Sequence, residues 1–196
     1  MVHARVVRQP NRGAVIDKID ETAIARAAKG KIAFVRTGNF LAIVGDSETA
    51  VDFAASAAVS HVTWKNIETP TALQAEASWL LQRPWIDRVF GAPAGEAKSR
   101  QRFEATYSRG YLAHASISPS CGLAKYRDGR LTVWTHSQGV FPLRASLAKA
   151  LRLDASNITV HHVQSSGCYG HNGADDAAAD AAIIAMQMPG KPIRVR

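Results

Sequence analysis

The chain has 196 residues, of which 46% are hydrophobic, and its formal net charge is +8. This length and composition are typical of one large globular domain or two small ones that bury a core. Its basic residues are scattered without a cluster, so we disfavour nucleic-acid binding. It has no apolar run of membrane-spanning length, and its N-terminus has no signal-peptide pattern, so we expect a cytoplasmic protein with no membrane insertion.

The first 67 residues alternate short strands with short helices. Apolar alternation predicts strands in MVHARVVRQ, GAVIDKID, KIAFVR, FLAIVGD and VSHVTW. Helices are predicted in ETAIARAA and in SETAVDFAASAA, where Ser47 is a suitable N-cap. This part therefore has the pattern of a compact, mixed α/β domain.

The middle of the chain connects this domain to a second one. TPTALQAEASWLLQRPW predicts a connecting helix that Pro84 stops, and GAPAGEAKSR has the composition of a linker. We therefore predict a first domain at residues 1–67, a connecting helix and linker at 68–100, and a second domain at 101–196.

The second domain also mixes strands and helices. RFEATYSRGYLAHASISP is rich in strand-forming residues, and GLAKYRDGRLTVWTHSQ predicts a hairpin that turns at Asp128-Gly129. FPLRASLAKALRL predicts a helix, NITVHHVQSS a strand, and the alanine-rich stretch after residue 173 a last helix that Met188-Pro189-Gly190 ends. The fold class predicted for the whole chain is α+β.

A glycine loop precedes the last helix in GCYGHNGADDAAADAAIIA, residues 167–185. Gly167, Gly170 and Gly173 allow positive φ or close approach of a ligand, and the free N–H groups of a following helix favour an anion. The spacing matches neither the Walker loop nor the dinucleotide fingerprint, and the aspartates at 175 and 176 would repel a nearby phosphate. A structural turn with a well-capped helix explains the same residues equally well.

The alanines of the last helix indicate close packing against a sheet or a flat ligand, although high helix propensity alone also explains them. His161, His162, Cys168 and His171 are close in sequence, but their spacing fits no common zinc pattern. His114 and His136 could each serve acid–base chemistry, but we expect a structural role for both.

Two cysteines do not make a disulfide framework. Cys121 and Cys168 could pair if the fold brought them together, but we expect them to be buried free thiols.

Three segments in order resemble one family. YLAHASISPSCGLAKYRDGRLTVW, THSQGVFPLR and the loop GCYGHNGADD resemble the molybdopterin-binding large subunit of the xanthine dehydrogenase/aldehyde oxidase family, the molybdenum hydroxylases. HARVVRQPNRGAVIDKID and GKIAFVRTGNFLAIVGDSETA resemble its α/β hammerhead domain, with the first strand missing. The nicotinate dehydrogenase/isoquinoline oxidoreductase branch is the most similar. The resemblance implies a small hammerhead-like α/β domain followed by the first part of a molybdopterin-binding α+β domain.

The resemblance also implies roles for individual residues. The Gln of the SQG motif, here Gln138, lies near the oxo ligand of molybdenum, and the glycine loop lies against the metal and the pterin. No residue of this chain is expected to ligate the metal directly. The cofactor-binding residues implied in this way are Gln138, Gly139, Gly167, Cys168, Tyr169, Gly170, His171, Asn172 and Gly173.

Two departures from the family limit what is expected of the chain alone. Ser118-Pro119 replaces the Glu-Pro of many members, and the sequence stops at GKPIRVR, whereas the family continues into the part that carries the catalytic glutamate. The resemblance thus implies part of a large subunit that is incomplete and inactive on its own, whose enzyme would hydroxylate an N-heterocycle or aldehyde with water-derived oxygen. Its expected cofactor is molybdopterin in the cytosine dinucleotide form, bound in the assembled enzyme and not by the isolated chain. Its expected partners are a C-terminal molybdopterin-binding polypeptide and an iron–sulfur subunit, with a homo-oligomer left open. The alternative is a non-catalytic folded remnant that acts as a binding or scaffold protein.

Overall fold

The computed structural model describes residues 1–71, 74, 76–88, 90–91, 101, 103–165, 167–173 and 177–196. They form two compact units, a larger one of residues 1–68 and 114–196 and a smaller one of residues 69–113. Among the described residues the strands all lie in the larger unit, and they are β1 (Val2–Val6), β2 (Val15–Ile19), β3 (Ala33–Thr37), β4 (Phe40–Gly45), β5 (Val62–Lys65), β6 (Gly122–Arg127), β7 (Arg130–Thr135), β8 (Ile158–His162) and β9 (Ile193–Val195). The helices are α1 (Glu21–Ala27), α2 (Glu48–His61), α3 (Ala77–Leu81) in the smaller unit, α4 (Val140–Leu151) and α5 (Ala177–Gln187).

The larger unit is built on a mixed sheet of seven strands in the order β3-β4-β1-β9-β6-β7-β8. β1 joins its two halves, because it pairs antiparallel with β4 on one side and parallel with β9 on the other. β7 and β8 are also parallel. A separate two-stranded sheet pairs β2 with β5. Helices packed on a mixed sheet confirm the α+β class predicted from the sequence.

The side-chain alternation of β4 divides the interior into two cores. Ala42 and Val44 face the core that contains α4 and α5, whereas Leu41 and Ile43 face the core that contains α1 and α2. The second core is drawn entirely from residues between Val7 and Trp64. The N-terminal part therefore has a core of its own while it shares a sheet with the C-terminal part. The predicted domain boundaries at residues 67 and 100 stay a prediction. The compact units differ from them, because the pairing of β1 with β9 joins residues 1–68 and 114–196 in one unit.

The alanine-rich helix α5 packs against the sheet. Ala181, Ala182 and Ala185 are fully buried in the core beneath it. At Gly122 in β6 a Cβ atom would lie 2.6 Å from the carbonyl carbon of Ala177 and 2.7 Å from the backbone nitrogen of Ala178. A larger side chain on β6 at Gly122 or on the buried face of α5 would push the helix away from the sheet. The close packing of α5 on the sheet therefore explains its alanines.

Two predicted elements differ from the structure. The strand predicted in residues 102–119 is wrong for residues 103–119, which form no strand and expose Tyr107. A strand needs a neighbour that satisfies its N–H and C=O groups, so β-favouring composition alone did not suffice. In VSHVTW the first three residues continue α2, and the strand begins at Val62.

Parts of other predictions fall outside the described residues. Of the predicted connecting helix, α3 covers Ala77–Leu81, and positions 72, 73 and 75 are not among the described residues. Nor are positions 92–100 of the predicted linker. β9 was not predicted, because its three residues are too few for a periodic pattern. No described helix combines the length and the apolar character that a membrane crossing requires.

An ion-pair cluster joins α2 to the centre of the sheet. Glu48, in the first turn of α2, accepts hydrogen bonds from Arg5 of β1 at 3.1 Å and from Arg194 of β9 at 3.0 Å. Arg196 lies 3.5 Å from the same carboxylate. The hydrogen bond from Arg5 is the main cause of a lowered pKa for Glu48; partial burial opposes it, and the charges of Arg194 and Arg196 add to the lowering.

We expect this cluster to make stability depend on acid pH. Since the pKa of Glu48 is lower in the folded state, the stabilisation is present above the unfolded pKa and is lost as the pH falls through the folded pKa. Glu48→Gln should cost about 1 kcal/mol of unfolding free energy at neutral pH, and the difference from wild type should disappear as the pH falls through the lowered pKa of Glu48. Urea unfolding across this range measures both. Glu21→Gln, which removes a carboxylate from the first turn of α1, is the matched control and should cost less unfolding free energy at neutral pH than Glu48→Gln. A difference at Glu48 that is constant with pH would contradict the expectation.

Candidate functional site

The predicted site residues lie beyond the ends of two neighbouring parallel strands. β7 ends at Thr135 and leads to Gln138, while β8 ends at His162 and leads to the glycine loop, residues 167–173. Because parallel strands end at the same edge of a sheet, the two segments meet there. The Cys168 thiol donates to Oε1 of Gln138 at 3.0 Å, and the backbone N–H of Gln138 donates to the carbonyl oxygen of Asn172 at 3.4 Å. The structure thus brings together the two motifs that lie 30 residues apart in sequence.

Asn172 anchors the loop to the strand end. Its side chain is buried, with 3% of its surface exposed, and its Nδ2 donates to the carbonyl oxygen of His136 at 3.2 Å and of Gly167 at 3.4 Å. The side chain is therefore directed into the protein and holds the loop in shape. An amide between loop glycines was the sequence signal for this anchoring role, because asparagine can satisfy two carbonyl groups at a turn.

Two of the loop glycines have backbone conformations that disfavour other residues. Gly167 has φ 119° and Gly170 has φ 102°. A Cβ at Gly167 would lie 2.9 Å from the Tyr169 hydroxyl, and one at Gly170 would lie 3.0 Å from Nε2 of His114. Gly173 differs, since its added Cβ would make ordinary contacts, at 3.5 Å from Cδ of Gln138. The first two glycines are thus required by shape, whereas the third leaves space beside Gln138.

The histidines near the site have separate positions. His114 lies beside the loop, with its ring centroid 5.7 Å from that of His171. His136 is buried, and its Nε2 accepts a hydrogen bond from the backbone N–H of Cys121 at 3.2 Å, which is a structural contact. His161 stacks on Trp134, and His162 contacts the carbonyl oxygen of Ser137 through Nδ1. Within the described ranges no three His, Cys, Asp or Glu side chains are grouped as metal ligands would be.

The cysteine prediction was wrong in part. Both Cys121 and Cys168 are free thiols, but Cys121 is half-buried and Cys168 is exposed. Cys168 is exposed because the loop that carries it lies on the surface. At this surface its thiol contacts the side chain of Gln138.

A cavity lies next to this site without including it. It measures about 430 Å³ and is lined mainly by apolar atoms, with Cys121, Leu123, Trp134, His136 and Arg194 among its residues. Neither Gln138 nor the glycine loop lines it. The cavity is bounded by one face of the sheet, whereas the predicted site is an exposed surface at the strand ends. The hydrogen bonds of Gln138 to the glycine loop make this surface the better candidate for a functional site.

The exposed part of the site suits an acceptor-rich ligand. Gln138, Cys168, Tyr169, Gly170, His171 and Gly173 are exposed, and Gly139 is half-buried behind them. The exposed side-chain amide of Gln138 supplies N–H donors, and the glycines of the loop carry no side chain that would block approach. These features fit a pterin with oxygen-rich substituents. The residues at 174–176, which lead into α5, lie outside the described part of the chain.

Comparison with known proteins places the chain in a family. The family model for the molybdopterin cofactor-binding domain matches residues 87–196, more than half of the chain. A nicotinate dehydrogenase subunit of Pseudomonas putida is 32% identical over 209 aligned residues, covering 100% of this chain and 17% of the relative. The aldehyde oxidoreductase molybdenum-binding subunit PaoC of Escherichia coli is 26% identical over 94 residues, covering 48% of this chain and 13% of that protein.

Solved structures agree on the fold. Quinoline 2-oxidoreductase from Pseudomonas putida superposes with a TM-score of 0.65 at 16% identity, over 99% of this chain and 30% of that one. Aldehyde oxidoreductase from Desulfovibrio gigas superposes with a TM-score of 0.69 at 18% identity, over 100% of this chain and 26% of that one. The chain spans less than a third of each of these proteins. It belongs to the molybdopterin-binding subunits of the xanthine dehydrogenase/aldehyde oxidase family.

Proposed function

We propose that Gln138 and the glycine loop form one wall of a molybdopterin site in an assembled molybdenum hydroxylase. The observation that carries the proposal is the direct contact of Gln138 with Cys168 and with the backbone of Asn172. In this arrangement the Gln138 amide and the loop N–H groups would face the acceptor atoms of the cofactor. The residues assigned to cofactor binding are Gln138, Gly139, Gly167, Cys168, Tyr169, Gly170, His171, Asn172 and Gly173.

The bound cofactor would supply the redox centre that hydroxylates the substrate with oxygen from water. We propose an N-heterocycle or an aldehyde as substrate class, because the two sequence relatives are named for nicotinate and for aldehydes. What this chain would contribute is binding and orientation of the cofactor. Gln138 and the glycine loop would contact the cofactor, and the sheet and helices would position Gln138 and the loop. The cytosine dinucleotide form of the cofactor and a cytoplasmic location are part of the proposal.

The rest of the active site would lie outside these 196 residues. The chain covers 17% of the nicotinate dehydrogenase relative, and no motif in it corresponds to the family's catalytic glutamate. We therefore propose as partners a further molybdopterin-binding polypeptide and an iron–sulfur subunit, and expect no turnover from the isolated chain. The names of the relatives, which call them subunits, support an assembly and favour this function over a scaffold role.

Molybdenum retention tests the proposal. In the assembly purified from its native cells, Gln138→Ala and Tyr169→Ala should each lower the molybdenum bound per chain, because each removes a group from the proposed wall. Loss of one hydrogen bond worth about 1 kcal/mol corresponds to roughly fivefold weaker retention for Gln138→Ala. Elemental analysis measures this, and the urea midpoint should be unchanged because both side chains are exposed.

Gln187→Ala, at an exposed position of α5, serves as the matched control and should retain wild-type molybdenum. Equal metal content in wild type, Gln138→Ala and Tyr169→Ala would remove the proposed roles. An assembly that never contains molybdenum would favour the scaffold alternative.

A further inference from the structure

We propose that Cys168 is a positioning residue for Gln138, because its thiol selects which end of the side-chain amide faces away from the loop. This inference rests on the proposed function, since the orientation of the amide matters to activity only if Gln138 meets the cofactor. Cys168 then acts through its side chain, in addition to the backbone contact that was assigned to it above.

The first step is the hydrogen bond between the two side chains. Sγ of Cys168 lies 3.0 Å from Oε1 of Gln138 and donates to it. An amide carries an acceptor at one end and two donors at the other, so a thiol that donates selects the oxygen end. The carbonyl end therefore faces Cys168, and Nε2 faces away.

The second step is the space around the amino end. Gly173 lies beside it, and a Cβ built there would be 3.6 Å from Nε2 and 3.5 Å from Cγ. Because Gly173 has no side chain, Nε2 stays uncovered on this side. The loop thus provides a donor for one end of the amide and room at the other end.

The third step is the attachment of Gln138 itself. Its backbone N–H donates to the carbonyl oxygen of Asn172. The buried side chain of Asn172 in turn donates to the carbonyl oxygens of His136 and Gly167. The backbone of Gln138 is thereby held, and what remains is rotation of the terminal amide, which has two broad, roughly equivalent orientations. The thiol of Cys168 decides between these two orientations.

The consequence is an N–H pair that is offered to an acceptor before the ligand arrives. Without the thiol, an amide that populates both orientations equally presents Nε2 only half of the time, which weakens binding about twofold. Cys168→Ser retains a donor of similar reach and should keep the wild-type orientation. Cys168→Ala removes the donor at nearly the same size and should lose it.

Nuclear magnetic resonance of the 196-residue chain without cofactor tests the inference directly. The side-chain NH₂ signals of ¹⁵N-labelled Gln138 are identified by their absence in Gln138→Ala. We expect them to show nuclear Overhauser contacts to the Gly173 Hα atoms and a heteronuclear Overhauser value higher than that of Gln187, the exposed internal reference. Cys168→Ser should preserve both properties, and Cys168→Ala should reduce the heteronuclear value to that of Gln187.

Three outcomes would overturn the inference. The NH₂ group of wild-type Gln138 could be as mobile as that of Gln187, its Overhauser contacts could go to the Cys168 Hβ atoms instead of Gly173, or Cys168→Ala could leave the order unchanged. The backbone spectrum of each variant shows that it is folded.

The proposed function is judged by a separate measurement. If the amide is ordered by Cys168 but Gln138→Ala retains wild-type molybdenum, the positioning contact stands and the cofactor role fails. If Gln138→Ala loses molybdenum but the amide is mobile in the wild type, the cofactor role stands and the positioning by Cys168 fails. With both intact, Cys168→Ala should retain molybdenum about twofold more weakly than wild type, and Cys168→Ser should retain more than Cys168→Ala does.

Discussion

Gly122→Ala should destabilise the larger unit by about 3 kcal/mol or more, the largest effect we expect from a single methyl group in this chain. Its Cβ would lie 2.6 Å from the carbonyl carbon of Ala177 and 2.7 Å from the backbone nitrogen of Ala178. These are backbone atoms of α5, so relief requires the helix to move away from β6 and to open the core beneath it. The unfolding free energy from urea denaturation measures the loss.

Gly13→Ala is the matched control, because its added Cβ would lie 3.6 Å from the Asn11 side chain, an ordinary contact. It should change the unfolding free energy by less than about 0.5 kcal/mol. Equal stability of the two variants would mean that α5 does not approach the sheet at Gly122 as closely as the structure has it.

Asn172→Ala should release the glycine loop and should weaken molybdenum retention more than Gln138→Ala does. The substitution removes the donor to the carbonyl oxygens of His136 and Gly167, and a buried carbonyl left without a partner costs about 1–3 kcal/mol. Faster hydrogen–deuterium exchange in residues 167–173 is the expected local result, with a fall in the urea midpoint as the global one.

Asn157→Ala replaces an exposed asparagine outside the loop and controls for loss of an amide. It should leave both the exchange of the loop and the metal content unchanged. Loop exchange that is the same in Asn172→Ala as in wild type would show that the loop is held by other contacts, and the anchoring role of Asn172 would then be wrong.

Local features of this fold could be predicted because their causes are local. Asp128-Gly129 turns the hairpin of β6 and β7 with φ of 51° and 78°, the left-handed values that this dipeptide tolerates. Ser47 caps α2 by accepting from the backbone N–H of Ala50 at 3.3 Å. In both cases the residues that determine the structure are close neighbours in the sequence.

Other features depend on residues far apart in sequence. The alanines of α5 are compatible with a sheet or a flat ligand, and Gly122, the residue that decides between them, lies 55 positions before Ala177. Residues 103–119 have the composition of a strand, but no strand of the sheet takes them as a neighbour. Composition states a preference, whereas the partner that would satisfy it is a property of the whole fold.

The candidate site was predictable in its parts but not in its contacts. Glycine spacing and the family resemblance pointed to Gln138 and to the loop. The thiol–amide contact depends on the parallel pairing of β7 with β8, which places the two strand ends side by side. Because such pairing leaves no signal within either segment, the contact of Cys168 with Gln138 could not be foreseen.

The pairing of β1 with β9 also has a consequence for the order of folding during synthesis. Val2 lies opposite Ile193, so one edge of β1 stays without its partner until residue 193 has been made. β3, β4 and β1 can pair early, since their partners lie within 45 residues of the N-terminus, while the open edge of β1 is a template for pairing with another nascent chain. β9 is therefore the strand that closes this edge, and slow elongation before residue 193 would prolong the period in which the protein is prone to aggregate.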